Sequence, residues 1–366
     1  MNQSPFCRKD EEASAQLRQL YRQHGYLPYR MSKFEEYDLY VRNKSFLVSE
    51  QILTFTDTDG RLMALKPDVT LSIVKNSSDT GSGLQKVYYN ENVYRTSSAA
   101  MGYREIMQTG LECIGQLDLL AMGEVIALAD ESLALIHPDY LLDLSHIGIL
   151  SDLLEDLEES TRAALLTEIS RKNVSAINAV CAQAGLPMAL AERAGKLAML
   201  YGSPEEVLPE LERLVTGQLG TAALEELQQL CRFLQSTGHI RNLRLDFSIV
   251  NDMNYYNGVI FRGYLPGLAS GVLAGGRYDN LLHRMGKQGQ AIGFAVYLDQ
   301  LERLTVAADT YDADTLLLYS AEDDIAAVAS RAAQLISQGK TVRTERTVPA
   351  GLRFASVERF PEGGKG

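Results

Sequence analysis

The feature that most constrains the fold is a break in periodicity. Strand-like segments rich in β-branched and aromatic residues stand on both sides of a block, about 147–236, that reads almost entirely as Leu/Ala/Glu helix. Sheet, then helix, then sheet again predicts an α+β chain in which a helical insertion interrupts a sheet-built domain. Before the block, residues 10–25 read as a helix with Leu17, Leu20 and Tyr21 on one face and Gly25 to end it. Residues 46–66 read as β-structure around the turn Asp57-Thr58-Asp59-Gly60, and 67–76 as a helix with Pro67 at its first position. Val87–Tyr94 and Glu105–Gly115 predict a long antiparallel pair joined by a loop over 96–104. A helix over 120–136 and a strand over Tyr140–Leu144 follow. Beyond the block, strands are expected at 242–250, 257–265, 271–275 and 291–297, and a helix at 298–306.

A composition shift at Ala307–Asp314 marks a linker. After it, an apolar strand (Thr315–Ser320), an amphipathic helix (322–338) and a further strand (341–346) predict a small α/β unit. The domains expected are therefore 1–310, with the insertion inside it, and 315–366. With 366 residues, 46% hydrophobic and 22% charged, the chain has enough apolar material for such cores and is not of the disordered class. It contains no run of 18 apolar residues of the kind that spans a membrane, and Met1–Glu12 is too polar for a secretory signal. Cys7, Cys113, Cys181 and Cys231 are far apart, with no CxxC pair, so buried or free thiols in a reducing cytoplasm are expected, with no metal and no cofactor. The net charge of −12, without any Lys/Arg cluster, weighs mildly against nucleic acid as a partner.

Two stretches carry candidate chemistry. In Tyr94-Arg95 through Gly102–Gly115, residues two apart on a strand share a face, so Gln108, Gly110 and Glu112 line one side. An amide and a carboxylate separated by a glycine suit a ligand's ammonium group; the same alternation also fits a solvated sheet face. In Asn254–Phe261 and Ala274–Leu282, the paired Gly275 and Gly276 permit close approach of a ligand to the backbone, or simply a tight turn.

At these residues the chain resembles the class II histidyl-tRNA synthetase family across nearly its whole length. Tyr26–Tyr40 resembles the segment containing motif 1. Phe55-Thr56-Asp57 and Leu65-Lys66-Pro67-Asp68-Val69-Thr70 resemble F-x-D and L-R-P-E-x-T. Arg95–Gly115 resembles motif 2 and its following strand, and Asn254–Phe261 resembles L-D-Y-Y-x-x-x-F. Gly275–Leu281 resembles G-G-R-Y-D-x-L, and Gly293–Leu304 resembles motif 3. The signatures come in family order, which makes the set specific. The resemblance implies a class II antiparallel sheet flanked by helices. It implies a histidine pocket built from Asp68, Thr70, Gln108, Glu112, Tyr256 and Tyr278, with Arg95 retained from motif 2 and Gly275 and Gly276 beside it. Carboxylates complement an α-ammonium, and tyrosine hydroxyls orient an imidazole.

The departures concern charge. The family's arginine at the start of R-G-L-D-Y-Y aligns with Asn251, and the motif 3 arginine with Gln300. Adenylate formation is stabilised mainly by positioned positive charge, so losing two guanidinium groups is expected to cost on the order of 10³-fold or more in rate. Arg303 lies three residues past Gln300, about one helical turn on. The loop Thr96–Tyr103 lacks basic residues, Lys66 replaces an arginine, Ser32 stands at the motif 1 proline, and the C-terminal unit is about half of an anticodon-binding domain in length. This pattern resembles a paralogous family, the regulatory subunits of ATP phosphoribosyltransferase, as does Val259-Ile260-Phe261-Arg262-Gly263-Tyr264-Leu265-Pro266-Gly267. That resemblance implies a non-catalytic, histidine-binding homodimer that partners a short-form catalytic subunit in the first step of histidine biosynthesis. The alternatives left open are an active or divergent histidyl-tRNA synthetase and a stand-alone amino-acid-binding paralogue.

Overall fold

The computed structural model describes residues 9–44, 47, 52–77, 83–97, 102–249, 255–303 and 311–361. The segment Asn251–Asn254, the tip of the 96–104 loop, Cys7 and most of the linker lie outside the described residues. The chain divides into two compact units, Ala13–Arg303, and Met1–Glu12 together with Leu304–Gly366.

The elements run α1 (Lys9–Gln23), β1 (Leu27–Pro28), β2 (Phe34–Glu36), α2 (Tyr37–Arg42), β3 (Thr54–Thr56), β4 (Leu62–Leu65), α3 (Thr70–Asn76), β5 (Gln85–Ser97), β6 (Gly102–Gly115), α4 (Leu119–Ile136) and β7 (Leu141–His146). The helical block follows as α5 (Ile147–Leu154), α6 (Glu159–Ser170), α7 (Val174–Gln183), α8 (Met188–Met199), the two-residue β8 (Tyr201–Gly202), α9 (Pro204–Leu214) and α10 (Gln218–Ser236). Then come β9 (Leu243–Asp246), β10 (Val259–Tyr264), β11 (Leu273–Arg277), α11 (Asp279–Arg284), β12 (Gln290–Tyr297) and a 3-10 turn, Leu298–Arg303.

The main sheet has the order β1-β5-β6-β12-β11-β10-β7-β9-β8. Its centre is antiparallel, as the resemblance implies, but β1–β5 and β7–β9 pair in parallel, so the sheet is mixed. The reason for the second pair is the insertion itself. A strand that leaves the sheet, crosses a helical block and returns beside its origin is free to re-enter in the same direction. The antiparallel β5–β6 pair is longer than the sequence suggests, since it continues to Ser97↔Gly102 and absorbs much of the expected loop. β2, β4 and β3 form a separate small antiparallel sheet.

Side chains alternate across the sheet and divide its faces. On the back face, Tyr21 of α1 meets Phe294 edge-on at 5.9 Å. α4 also packs there, with Leu133 against Gly263. On the front face, Val87, Tyr89 and Val93 of β5 form a core with Tyr40, Val69, Leu71, Ile73, Val74 and Tyr278.

Two local expectations are corrected. The helix expected at 298–306 is a 3-10 turn over its described part, Leu298–Arg303. Leu298 and Leu301 are both buried, and an i,i+3 repeat of anchors suits three residues per turn. The helix expected from Pro67 begins at Thr70. The Asp68 carboxylate accepts the Leu71 N–H at 2.9 Å, serving the first turn from outside it. α2, α11, β1 and β2 carry too few residues to leave a periodic signal.

The smaller unit holds β13 (Ala313–Leu318), α12 (Ile325–Ser337), β14 (Val342–Glu345) and β15 (Phe354–Arg359). It is a parallel sheet in the order β14-β13-β15, and β15 was not anticipated from sequence. Cys113, Cys181 and Cys231 are buried free thiols.

Candidate functional site: a charged cavity on the front of the sheet

The strand registers set the floor of a cavity. Tyr89, Gly110, Ala295, Ala274 and Arg262 stand side by side across β5, β6, β12, β11 and β10. The neighbouring row holds Glu112, Gly293 and Gly276. Small residues at the centre leave about 360 Å³ of space above the sheet. Asp68, Thr70, Arg95, Gln108, Glu112, Tyr256 and Tyr278 all line it, so seven residues named from sequence converge on one cavity.

Gly275 and Gly276 are not among the residues that line it, and their lack of a side chain serves the packing around it. A Cβ on Gly275 would stand 2.5 Å from the Gly293 carbonyl oxygen, so this glycine lets β11 and β12 close on each other. A Cβ on Gly276 would stand 2.7 Å from the Tyr256 ring, so this glycine seats the tyrosine. The glycine that does admit a polar group is Gly293, where a Cβ would fall 1.7 Å from Glu112 Oε2.

Glu112 is the electrostatic centre. The Tyr278 hydroxyl donates to its Oε2 at 2.6 Å and the Thr70 hydroxyl to its Oε1 at 2.8 Å. Burial nevertheless pushes its carboxyl up to about 8 against the pull of those two hydrogen bonds, with Asp68 adding to the rise. Burial also raises Asp68, while Arg95 draws it back, with Nη2 at 3.7 Å from Oδ2. The Arg95 Nε donates to the Pro67 carbonyl at 2.7 Å, so this guanidinium is tied to the loop before α3. Lys66, fully buried, is paired with Glu91 at 2.6 Å. Burial pushes Tyr255, Tyr256 and Tyr278 well up, so all three keep their protons. Tyr255 stacks edge-on to Tyr256 at 4.6 Å and also hydrogen-bonds Thr70.

Tyr278 is held from behind. Its N–H donates to the Ala291 carbonyl at 2.8 Å. The adjoining Asp279 accepts from Ala291 N at 3.0 Å, from Arg277 Nε at 2.8 Å and from Asn257 Nδ2 at 3.1 Å. Arg277 in turn reaches Glu226 of α10 at 3.3 Å, and Glu226 meets His146 at 3.1 Å. Charged groups thus connect the helical insertion to the β11–α11 turn that carries Tyr278.

Lining residues not named as site residues from sequence include Tyr89, Tyr255, Ala274, Tyr297 and Arg262. Arg262 shares strand parity with Ile260 on β10, but parity alone does not say which face holds a cavity. Gln300 does not line the cavity. Its amide donates to Asp299 at 3.0 Å and its carbonyl accepts from Ser270 at 3.2 Å. Asn251 lies outside the described residues, as does the side chain of Arg303.

The histidyl-tRNA synthetase family model matches residues 3–301. The ATP phosphoribosyltransferase regulatory subunit of Thermoanaerobacter sp. (strain X514) is 32% identical, with 92% of this chain and 89% of that protein covered. A crystal structure described as an ATP phosphoribosyltransferase regulatory subunit/histidyl-tRNA synthetase from Bacillus halodurans superposes with a TM-score of 0.80 at 26% identity, covering 98% of each chain. A chain of the ATP phosphoribosyl transferase (HisG:HisZ) complex from Thermotoga maritima shares the fold, with a TM-score of 0.62 at 22% identity over 79% of this chain and 97% of that one. Similarity of this extent, on a histidyl-tRNA synthetase fold, means that the chain belongs to the family of ATP phosphoribosyltransferase regulatory subunits.

Proposed function

We propose that the chain is a non-catalytic subunit of ATP phosphoribosyltransferase that binds histidine and thereby regulates the first step of histidine biosynthesis. The observation that carries the reading is the setting of Glu112. A buried carboxylate held by Thr70 and Tyr278, with Asp68, Gln108 and Tyr256 around the same cavity, is built to receive an ammonium group and a small polar ring. The partner in this reading is a short-form catalytic subunit, as the named complex of the Thermotoga maritima relative suggests. Pairing of two copies through the motif 1 segment and a cytoplasmic setting complete it. Histidine acts by linkage: it shifts the catalytic partner only by the difference in its affinity for two states of the complex.

An active synthetase has one observation in its favour, since Arg95 and Arg262 both line the cavity. Against it, Arg95 is engaged by Pro67 and Asp68, and the 96–104 loop offers Arg104 as its sole basic residue. The replacement of family arginines by Asn251 and Gln300 belongs to the same reading. Two measurements test it. Incubation with histidine and ATP is expected to give no adenylate turnover, and co-expression with a short-form phosphoribosyltransferase is expected to yield a stable complex whose activity responds to histidine. Clear pyrophosphate release from histidine and ATP would favour the synthetase instead.

A further inference from the structure

The cavity has a defined cationic end opposite its acidic one. Arg262 projects from β10 onto the floor row that contains Ala274, Ala295 and Gly110. Between it and β6, which carries Glu112, lie three strand spacings, about 14 Å at the usual separation. Arginine and glutamate side chains reach into that span from both sides. The residues beneath the gap, Ala274 and Ala295 with Gly293 in the next row, have no bulk to fill it.

The guanidinium is held in place by its neighbours. Its stem lies over Gly271, where a Cβ would stand 2.8 Å from Cγ. Its head hydrogen-bonds Tyr264 and lies close enough to Tyr256 to act on it electrostatically. Asp143 pairs with it in register across β7–β10; burial pushes that carboxyl up to about 7, with Lys172, Arg244 and Arg262 drawing it back. Arg95, the other cation on the lining, is tied to Pro67 and Asp68 at the opposite corner.

We propose that Arg262 is the residue that recognises the carboxylate of the bound amino acid, so that the cavity reads a zwitterion from both ends. This rests on the reading of the cavity as a histidine site. Asp68 and Glu112 supply the acidic end, and Arg95, the one cation named from sequence on the lining, stands at that same end beside Asp68. A guanidinium offers two parallel N–H donors to a carboxylate, a geometry that an alcohol in the same place cannot use.

The test compares histidine with histidinol, which keeps the ring and the amine and has a hydroxymethyl group in place of the carboxylate. Calorimetry on the full chain is expected to show histidine binding about ten- to hundredfold tighter than histidinol, the scale of hydrogen bonds to a charged group. Arg262→Gln is expected to lose that preference by weakening histidine alone, with histidinol bound as before, which also reports an intact fold. Arg262→Lys is expected to fall between. If the unaltered chain binds both ligands equally, or if Arg262→Gln keeps the full preference, the assignment to Arg262 is overturned while the histidine reading stands. If the unaltered chain binds neither ligand, the histidine reading fails and the assignment with it.

Discussion

Glu112 joins burial, hydrogen bonding and charge in one group. With its carboxyl pushed up to about 8, it is mostly protonated at neutral pH in the free chain. An ammonium arriving beside it favours the carboxylate, so binding expels the proton. Calorimetry at pH 7 in two buffers of different ionisation enthalpy is expected to show nearly one proton released per histidine, and none in Glu112→Gln. The same shift has a consequence for folding. The folded chain favours the neutral acid, so this contribution to stability is complete below the ordinary glutamate range and is lost as pH rises through about 8. The free wild-type chain is therefore expected to lose more melting temperature than Glu112→Gln when pH is raised from about 6.5 to about 8.5. Sequence alone showed that Gln108 and Glu112 share a strand face. It did not show that the face is buried, since a solvated strand has the same alternation.

Among the elements, the strand pair β11–β12 and the turn into α11 set the cavity's precision. Gly275→Ala drives a Cβ into the Gly293 carbonyl, and overpacking against backbone is expected to cost about 1–3 kcal/mol, measured by urea denaturation. Removing Asp279 leaves the Ala291 N–H without its buried acceptor and Arg277 with the longer contact to Glu226. Asp279→Ala is expected to cost about 3–5 kcal/mol and to weaken ligand binding through Tyr278, which a denaturation series and a titration check together. The long strands β5, β6 and β12 and the helices α1 and α4 were legible because each repeats its pattern over many residues. The 3-10 turn after β12 was read as a helix because Leu298 and Leu301 satisfy both periods. β15 was missed because its alternation, in Phe354–Arg359, is mostly exposed.

For the whole molecule, the helical insertion and the cavity are one connected structure. α10 reaches the cavity through Glu226, Arg277, Asp279 and Tyr278. A partner that displaces α10 therefore has a physical route to the cavity. Thermodynamic reciprocity gives the measurable consequence. Under the proposed function, the factor by which histidine changes the affinity of this chain for a catalytic subunit is expected to equal the factor by which that subunit changes histidine affinity. Titrating each in the presence and absence of the other measures both; a factor of one in both titrations would mean that histidine and the partner are uncoupled. Glu226→Gln, which weakens the link without touching the ligand, is expected to reduce both factors together.

The place of the helical insertion follows from periodicity, while the class II framework and seven of the residues that line the cavity follow from the resemblance carried by short contiguous signatures in family order. Folding decided which face of the sheet is enclosed, that Gly293 rather than the glycine pair makes room for the acid, and that an arginine from β10 stands across from it. Those outcomes depend on register between strands far apart in sequence, and a one-residue change of register would turn the same side chains to the other face.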